Sequence, residues 1–234
     1  MIEQQIEQII KTLAKQHKIK VEKHGEALSY SPSADTIYYN PEALEDSYNF
    51  LKNFARITLE DFITHDFGHE LGHRKKHKAV ENSLITHRVM MELYRRPERA
   101  IEILPQEQRE IFPLLRASAI AYNIANEHYA VTNNPLYSPE IAKAELLCII
   151  YGLREVHNEV RRALHGLVVL SADDIDSFIP VIIRAPLPHL KRYFPQEFST
   201  LRKIRLFLQT IKTPQDCFNT NKMEKLGEII LYEL

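Results

Sequence analysis

Four histidines recur at four-residue intervals in one stretch of the chain: His65, His69, His73 and His77. If this stretch is helical, histidines four residues apart lie on one face, about 6 Å apart along the axis, so neighbours can bind one ion together. Histidines eight residues apart are separated by about 12 Å and cannot share an ion. The spacing therefore predicts a metal site at one of three neighbouring pairs.

The middle pair has a glutamate that the other two pairs lack. His69, Glu70 and His73 form an HExxH motif, in which two imidazoles bind zinc and the carboxylate polarises a zinc-bound water and accepts its proton. Such a site can hydrolyse amide bonds, because the carboxylate returns the proton during cleavage. The overlapping pair His65 and His69 offers only Asp66, whose side chain is shorter. We therefore expect Glu70 to be catalytic and His69 and His73 to bind Zn²⁺.

The alternative interpretation of this stretch is a solvated, histidine-rich helix face. Four basic residues after the motif predict that the helix becomes exposed there: Arg74, Lys75, Lys76 and Lys78. Gly68 and Gly72 point the other way, since glycine inside a helix costs about 1 kcal/mol relative to alanine and usually marks close approach by another element. The glycines thus favour a packed helix over a solvated one.

The flanks of the motif resemble the zincin metallopeptidases. The resemblance rests on the strand and turn Ile37–Pro41, a helix after it, and Thr58–Gly68 directly before the HELGH sequence at 69–73. It covers roughly residues 35–131. It implies an edge strand, here Thr36–Tyr39, that runs over the active-site helix and pairs with an extended substrate peptide.

The resemblance also bears on the third zinc ligand, because catalytic zinc takes three protein ligands and keeps one position open. The metzincin pattern needs a histidine at position 79 and is excluded by Ala79. The gluzincin pattern needs a glutamate in an ExxA segment of a later helix, which implies Glu127 ahead of Ala130, with Glu155 in reserve. The chain departs from this pattern at Val131, where the usual acidic residue is missing.

Other candidate residues are assigned less sharply. His65 and His77 are interpreted as surface groups or as groups that contact the zinc ligands. Any donor to the developing oxyanion would come from four residues, among which the sequence does not choose: His128, Tyr129, Arg154 and His157.

Two other functions fit parts of the sequence. His65 and Asp66 resemble the adjacent pair of the HD phosphohydrolases, which bind one or two metals. The remaining ligands of that family would be His17 or His24 upstream and Asp173 or Asp174 downstream. A catalytically silent zincin-like scaffold that serves as a binding or regulatory module is the other alternative.

Composition narrows the function classes further. The 30 Lys+Arg and 31 Asp+Glu give a formal net charge of −1, which argues against a nucleic-acid partner. Glu3, Glu7 and Lys11 interrupt any apolar signal core, so no secretory peptide is expected. No window approaches 18 uncharged apolar residues, so no membrane association is expected. Two cysteines are too few for a disulfide framework. We expect a cytoplasmic metalloendopeptidase that acts on peptides or proteins, with its oligomeric state left open.

Hydrophobic periodicity predicts the elements that carry these residues. An amphipathic helix is expected over 2–16, followed by strands near 18–23, 27–30 and 36–39 that form a small meander. From Pro41 onward the pattern is helical, with a helix there and further helices expected at 57–78, 80–96, 106–132, 138–166, 172–184, 195–211 and 221–232. The predicted fold class is α+β, helix-dominated and zincin-like. The predicted domains are a metallopeptidase domain over 1–166 and a helical extension over 167–234, which can belong to the same domain.

Overall fold

The computed structural model describes residues 2–25 and 27–234, and helices dominate this part of the chain. Its strands are β1 (Lys20–Lys23), β2 (Leu28–Ser31) and β3 (Thr36–Tyr39). Its α-helices are α1 (Ile2–Gln16), α2 (Pro41–Leu51), α3 (Leu59–Ala79), α4 (Ser83–Arg95), α5 (Pro97–Ile103), α6 (Phe112–Thr132), α7 (Pro139–His165), α8 (Ala172–Arg184), α9 (Leu187–Tyr193), α10 (Phe198–Leu208), α11 (Pro214–Cys217) and α12 (Thr220–Glu233). This content confirms the prediction of a helix-rich chain with a small sheet.

The sheet has the order β1-β3-β2, so the predicted meander is wrong. Strand β3 lies in the centre, parallel to β1 and antiparallel to β2. Its residues suit that place, because Ile37 is fully buried and Tyr39 is nearly so. A meander would instead leave this most apolar of the three strands at an edge. The prediction that Thr36–Tyr39 is an edge strand fails for the same reason.

The chain forms two compact units, each built from two segments. The first unit contains Met1–Lys78 and Ala130–Cys148, and the second contains Ala79–Tyr129 and Ile149–Leu234. The domain boundary expected at residue 166 stays a prediction.

The core of the first unit joins α1, the sheet and α3. Apolar side chains from these elements are fully buried together, among them Ile6, Ile10, Ile37, Ile63 and Phe67. The periodicity of α1 explains its part, since Ile6, Ile10 and Leu13 share one face and are buried there. Burial of this face holds α1 against the elements that precede α3 in the chain.

The second unit packs around α6, whose small residues admit close neighbours. Four alanines of α6 within this unit are fully buried: Ala117, Ala119, Ala121 and Ala125. Two arginines cap helix ends in this unit. Arg116 is completely buried and donates to the carbonyls of Leu93 and Leu170, while Arg205 donates to that of Ala185. A cation near the last carbonyls of a helix also interacts favourably with the helix dipole.

Most helix predictions agree with the structure to within a few residues. The expected segment 106–132 divides into a 3₁₀ helix, Gln106–Ile111, and α6. Pro113 lies in the first turn of α6, where proline is tolerated because its missing N–H would have no partner in the helix. Three short helices, α5, α9 and α11, were not predicted. No helix in the described part of the chain is both long and apolar enough to cross a lipid bilayer.

The contact at Gly227 gives a test of packing in the second unit. A Cβ there would lie 2.7 Å from the Ser118 backbone nitrogen. We expect Gly227→Ala to lower the free energy of unfolding by about 1–3 kcal/mol, because backbone must move. Gly152→Ala is the matched control, since its added Cβ would face open space, and it should raise stability by up to about 1 kcal/mol. Urea denaturation followed by circular dichroism measures both, and equal effects would contradict this packing.

Candidate metal centre

Helix α3 presents two imidazoles from successive turns. The Nε2 atoms of His69 and His73 lie 3.2 Å apart, and the rings meet nearly edge to face. Two nitrogens bound to one tetrahedral zinc at about 2.0–2.1 Å are themselves about 3.3 Å apart. The two rings are therefore already placed to share an ion.

The start of α3 is fixed by its own sequence. The Thr58 hydroxyl accepts a hydrogen bond from the Asp61 N–H at 3.1 Å and so satisfies a donor that the helix itself leaves unpaired. Phe62, Ile63 and Phe67 are buried in the first unit, which sets the rotation of the helix. This rotation leaves His69 and His73 half-buried.

Two glycines let a second segment lie directly against α3. A Cβ at Gly72 would lie 2.9 Å from the carbonyl oxygen of Ala130, and a Cβ at Gly68 would lie 2.6 Å from Cβ of Leu136. The Asn134 amide also donates to the His65 carbonyl at 2.9 Å. The prediction that Gly68 and Gly72 mark close approach by another element is confirmed, and the element includes the end of α6.

Glu127 lies on α6 three residues before Ala130, so it is one turn from the contact with Gly72. The ligand atoms of His69, His73 and Glu127 all lie within 4.8 Å of one another. Among the described residues, this is the only group of three or more such side chains that can hold a metal ion. Glu155 is exposed on α7 and is not part of the group.

The motif glutamate contacts the sheet. Glu70 is only 8% exposed, and its Oε2 accepts a hydrogen bond from the Tyr30 backbone N–H at 2.7 Å. Tyr30 belongs to β2, which is an edge strand. The edge strand that contacts α3 is therefore β2, and not the predicted strand Thr36–Tyr39.

A polar network ties the β2–β3 hairpin to the same helix. The Arg74 guanidinium donates to both carboxylate oxygens of Asp35, at 2.8 and 3.0 Å, and the Tyr30 hydroxyl donates to Asp35 at 3.1 Å. Lys78 forms an ion pair with Asp35 at 2.7 Å. These donors, Arg74 first, hold the pKa of Asp35 well below its usual range, so this carboxylate stays charged in mildly acidic solution.

The sequence predicts that the four basic residues after the motif are exposed, but only two of them are. Lys75 and Lys78 are exposed, but Arg74 is half-buried and Lys76 is only 1% exposed. Lys76 lies three residues after His73, on the same side of the helix, and its Nζ is 3.3 Å from His73 Nδ1. The two ring nitrogens of His73 therefore have different neighbours, His69 and Lys76.

His65 and His77 are buried, with 5% and 8% exposure. The His65 Nδ1 accepts the Ser138 backbone N–H at 2.9 Å, and its Nε2 lies 3.9 Å from a Glu145 oxygen. His65 thus anchors the start of α7 to α3. Among the described residues, neither His65 nor Asp66 belongs to the group that could hold a metal ion.

The four candidate oxyanion donors have separate environments. Burial lowers the pKa of His128, and the positive charge of Arg205 adds to this effect. Tyr129 is 1% exposed in the core of the second unit, and the His157 ring packs against Tyr193 at 5.2 Å. Arg154 is exposed. None of these placements selects an oxyanion donor.

Comparisons with protein-family models, with curated proteins and with solved structures found no significant match to this chain. The resemblance to the zincins therefore rests on the residues of this sequence alone.

The close contact at Gly72 predicts a link between packing and metal affinity. Gly72→Ala should push the end of α6 away from α3, because the added Cβ would meet backbone atoms of Ala130. We expect stability to fall by about 1–3 kcal/mol and zinc affinity to fall about 10-fold or more. Competition with a chromogenic chelator measures the affinity. Gly152→Ala is the control and should bind zinc as the wild type does; a Gly72→Ala protein with unchanged affinity would contradict the prediction.

Proposed function

We propose that this chain is a zinc-dependent metallopeptidase of the gluzincin type, which hydrolyses peptide bonds. The observation that carries the proposal is the 3.2 Å separation of the His69 and His73 Nε2 atoms, with Glu70 on the intervening turn of the same helix. Glu127 completes a three-ligand set of the composition that catalytic zinc uses. Calcium and magnesium, which prefer oxygen ligands, suit this donor set less well.

The three residues match the donor set that catalytic zinc uses. His69, His73 and Glu127 would hold the ion, which has a fourth position for water or substrate. Bound zinc would supply Lewis acidity, which polarises the scissile carbonyl and lowers the pKa of a water molecule.

Glu70 supplies the acid–base chemistry in this proposal. Its Oε2 is held by the Tyr30 N–H, so the carboxylate is oriented before substrate arrives. Glu70 accepts a proton from the attacking water as the water oxygen bonds to the carbonyl carbon. It then gives that proton to the amide nitrogen as the carbon–nitrogen bond breaks. The glutamate is ready for the next cycle after the products leave.

The outer edge of β2 is the site at which we place the substrate backbone. Tyr30 is opposite Ile37 in the sheet, yet its N–H points to Glu70, away from β3. Leu28 lies two residues earlier and so presents its N–H and carbonyl on the same outer side. An extended peptide can pair with this edge beside Glu70.

The proposal also names the substrates and the cellular compartment. The substrates are peptides or proteins, and the enzyme acts in the cytoplasm. Neither Cys148 nor Cys217 forms a disulfide, which suits a reducing compartment.

A catalytically silent, zincin-like binding module is the second candidate. The observation that favours it is the bond from Tyr30 to Glu70, because a buried carboxylate that satisfies a strand N–H can have a purely structural role. This candidate predicts bound zinc without turnover, so the next experiment separates the two.

The first test replaces the acid–base group and keeps its shape. Glu70→Gln should retain zinc and lose at least about 100-fold in kcat, because an amide cannot accept the proton. Hydrolysis of fluorescein-labelled casein and zinc content by atomic absorption are the two measurements. Asp66→Ala is the control and should keep peptidase activity. Phosphodiesterase activity that survives Glu70→Gln but not Asp66→Ala would instead support the HD phosphohydrolase.

The second test concerns the third ligand. Glu127→Ala should lower zinc affinity and abolish casein hydrolysis, since two histidines alone bind the ion weakly. Glu155→Ala removes an exposed carboxylate from a later helix and should change neither property. Full zinc occupancy and activity in Glu127→Ala would remove Glu127 from the ligand set.

A further inference from the structure

We propose that Asp35 and Arg74 are a positioning pair that holds strand β2 and Glu70 in the alignment needed for proton transfer. The inference rests on the proposed function and adds residues to it that lie outside the HExxH motif. Neither residue is placed as a metal ligand or as a group that touches the reacting atoms.

One face of α3 carries Arg74, one member of the pair, and Glu70, the group that the pair positions. Glu70, Arg74 and Lys78 follow one another at four-residue intervals, so they project from one side of the helix. Glu70 contacts the hairpin at the Tyr30 N–H, and the two basic residues contact it at Asp35. The hairpin is thus held by this helix face at two separate points.

Tyr30 connects these two points. Its backbone N–H donates to Glu70 at 2.7 Å, and its hydroxyl donates to Asp35 at 3.1 Å. Asp35 in turn accepts from Arg74, which lies one helical turn after Glu70. The contacts form a closed circuit from Glu70 to Tyr30, Asp35, Arg74 and back along the helix. A shift of β2 relative to Glu70 therefore requires that a bond of the circuit breaks or stretches.

Arg74 also contacts a third element. Its guanidinium donates to the carbonyls of His17 and Lys18, at 3.1 and 3.2 Å, just beyond the end of α1. Lys18 and Asp35 both have left-handed backbone conformations, with φ of 50° and 47°. A planar guanidinium with five donors can serve both partners at once, whereas a lysine ammonium offers only a point charge. Arg74 therefore holds the segments around Lys18 and Asp35 against α3.

This arrangement predicts an effect on the chemical step. Without the pair, the zinc ligands keep their own contacts, but the Glu70 carboxylate and β2 can move relative to each other. A misplacement of about 1 Å can cost about 100-fold in rate. We therefore expect Arg74→Gln and Asp35→Asn each to lower kcat about 10- to 100-fold, with zinc content unchanged and KM changed less than about 3-fold.

The variants separate positioning from general loss of stability. Arg74→Lys keeps the charge without the fork and should restore only part of kcat. Glu7→Gln is the matched control, because it removes the ion pairs of Glu7 with Lys11 and Lys23 in the same unit, at 3.2 and 3.3 Å, without reaching α3. The Glu7→Gln protein should have the kcat of the wild type. Steady-state hydrolysis of fluorescein-labelled casein gives kcat and KM for the whole set.

A second readout needs no turnover. Hydrogen exchange of the Tyr30 amide in the zinc-loaded protein, followed by NMR, reports the bond to Glu70 directly. Protection should fall at least about 10-fold in Arg74→Gln and Asp35→Asn and stay as in the wild type in Glu7→Gln. Unchanged Tyr30 protection in Arg74→Gln, or a kcat equal to that of the wild type, would overturn the positioning pair. A zinc-loaded wild type that never hydrolyses casein would overturn the proposed function instead, and Tyr30 exchange would still decide whether the pair aligns Glu70.

Discussion

The close packing of α3 at Gly68 and Gly72 is the constraint on which the candidate site depends. Any side chain at these positions would collide with Leu136 or with the Ala130 backbone. Because glycine has no side chain, the segment that follows Glu127 can pack directly against the backbone of α3. Each glycine costs about 1 kcal/mol of helix stability relative to alanine. Glu127 lies one helical turn before this contact, and its carboxylate is within 4.8 Å of the ligand atoms of the two histidines. Without it, His69 and His73 would be a pair on a helix surface.

A second constraint is the contact between α3 and the sheet. Glu70 accepts a hydrogen bond from the β2–β3 hairpin, and Arg74 donates to that hairpin and to the chain just beyond the end of α1. One helix therefore carries the candidate metal-binding pair and also contacts the edge strand. These hydrogen bonds explain why the end of α3, with four basic residues after its motif, packs against the protein and does not extend into solvent. Lys76, which is almost fully buried beside His73, shows that the packed surface continues past the motif.

The residues that could be predicted from the sequence are those whose signal is local. The HExxH spacing identified His69, Glu70 and His73 as a possible site, and the helix-internal glycines indicated close packing before any contact was known.

Strand positions followed from β-rich segments between turn residues. The order β1-β3-β2 did not, because strand pairing depends on which strand the rest of the unit covers. The contact from Arg74 to Asp35 spans 39 residues, and no local pattern announces it. Lys76 was misjudged because charge suggests exposure, while its position on the helix decides its burial.

The most direct test of this account is anomalous diffraction at the zinc absorption edge from crystals of the zinc-loaded protein. The account predicts one strong peak about 2.0–2.1 Å from the Nε2 atoms of His69 and His73 and about 2.0–2.2 Å from a carboxylate oxygen of Glu127. A peak bound by His65 and Asp66, or by the two histidines without Glu127, would contradict it.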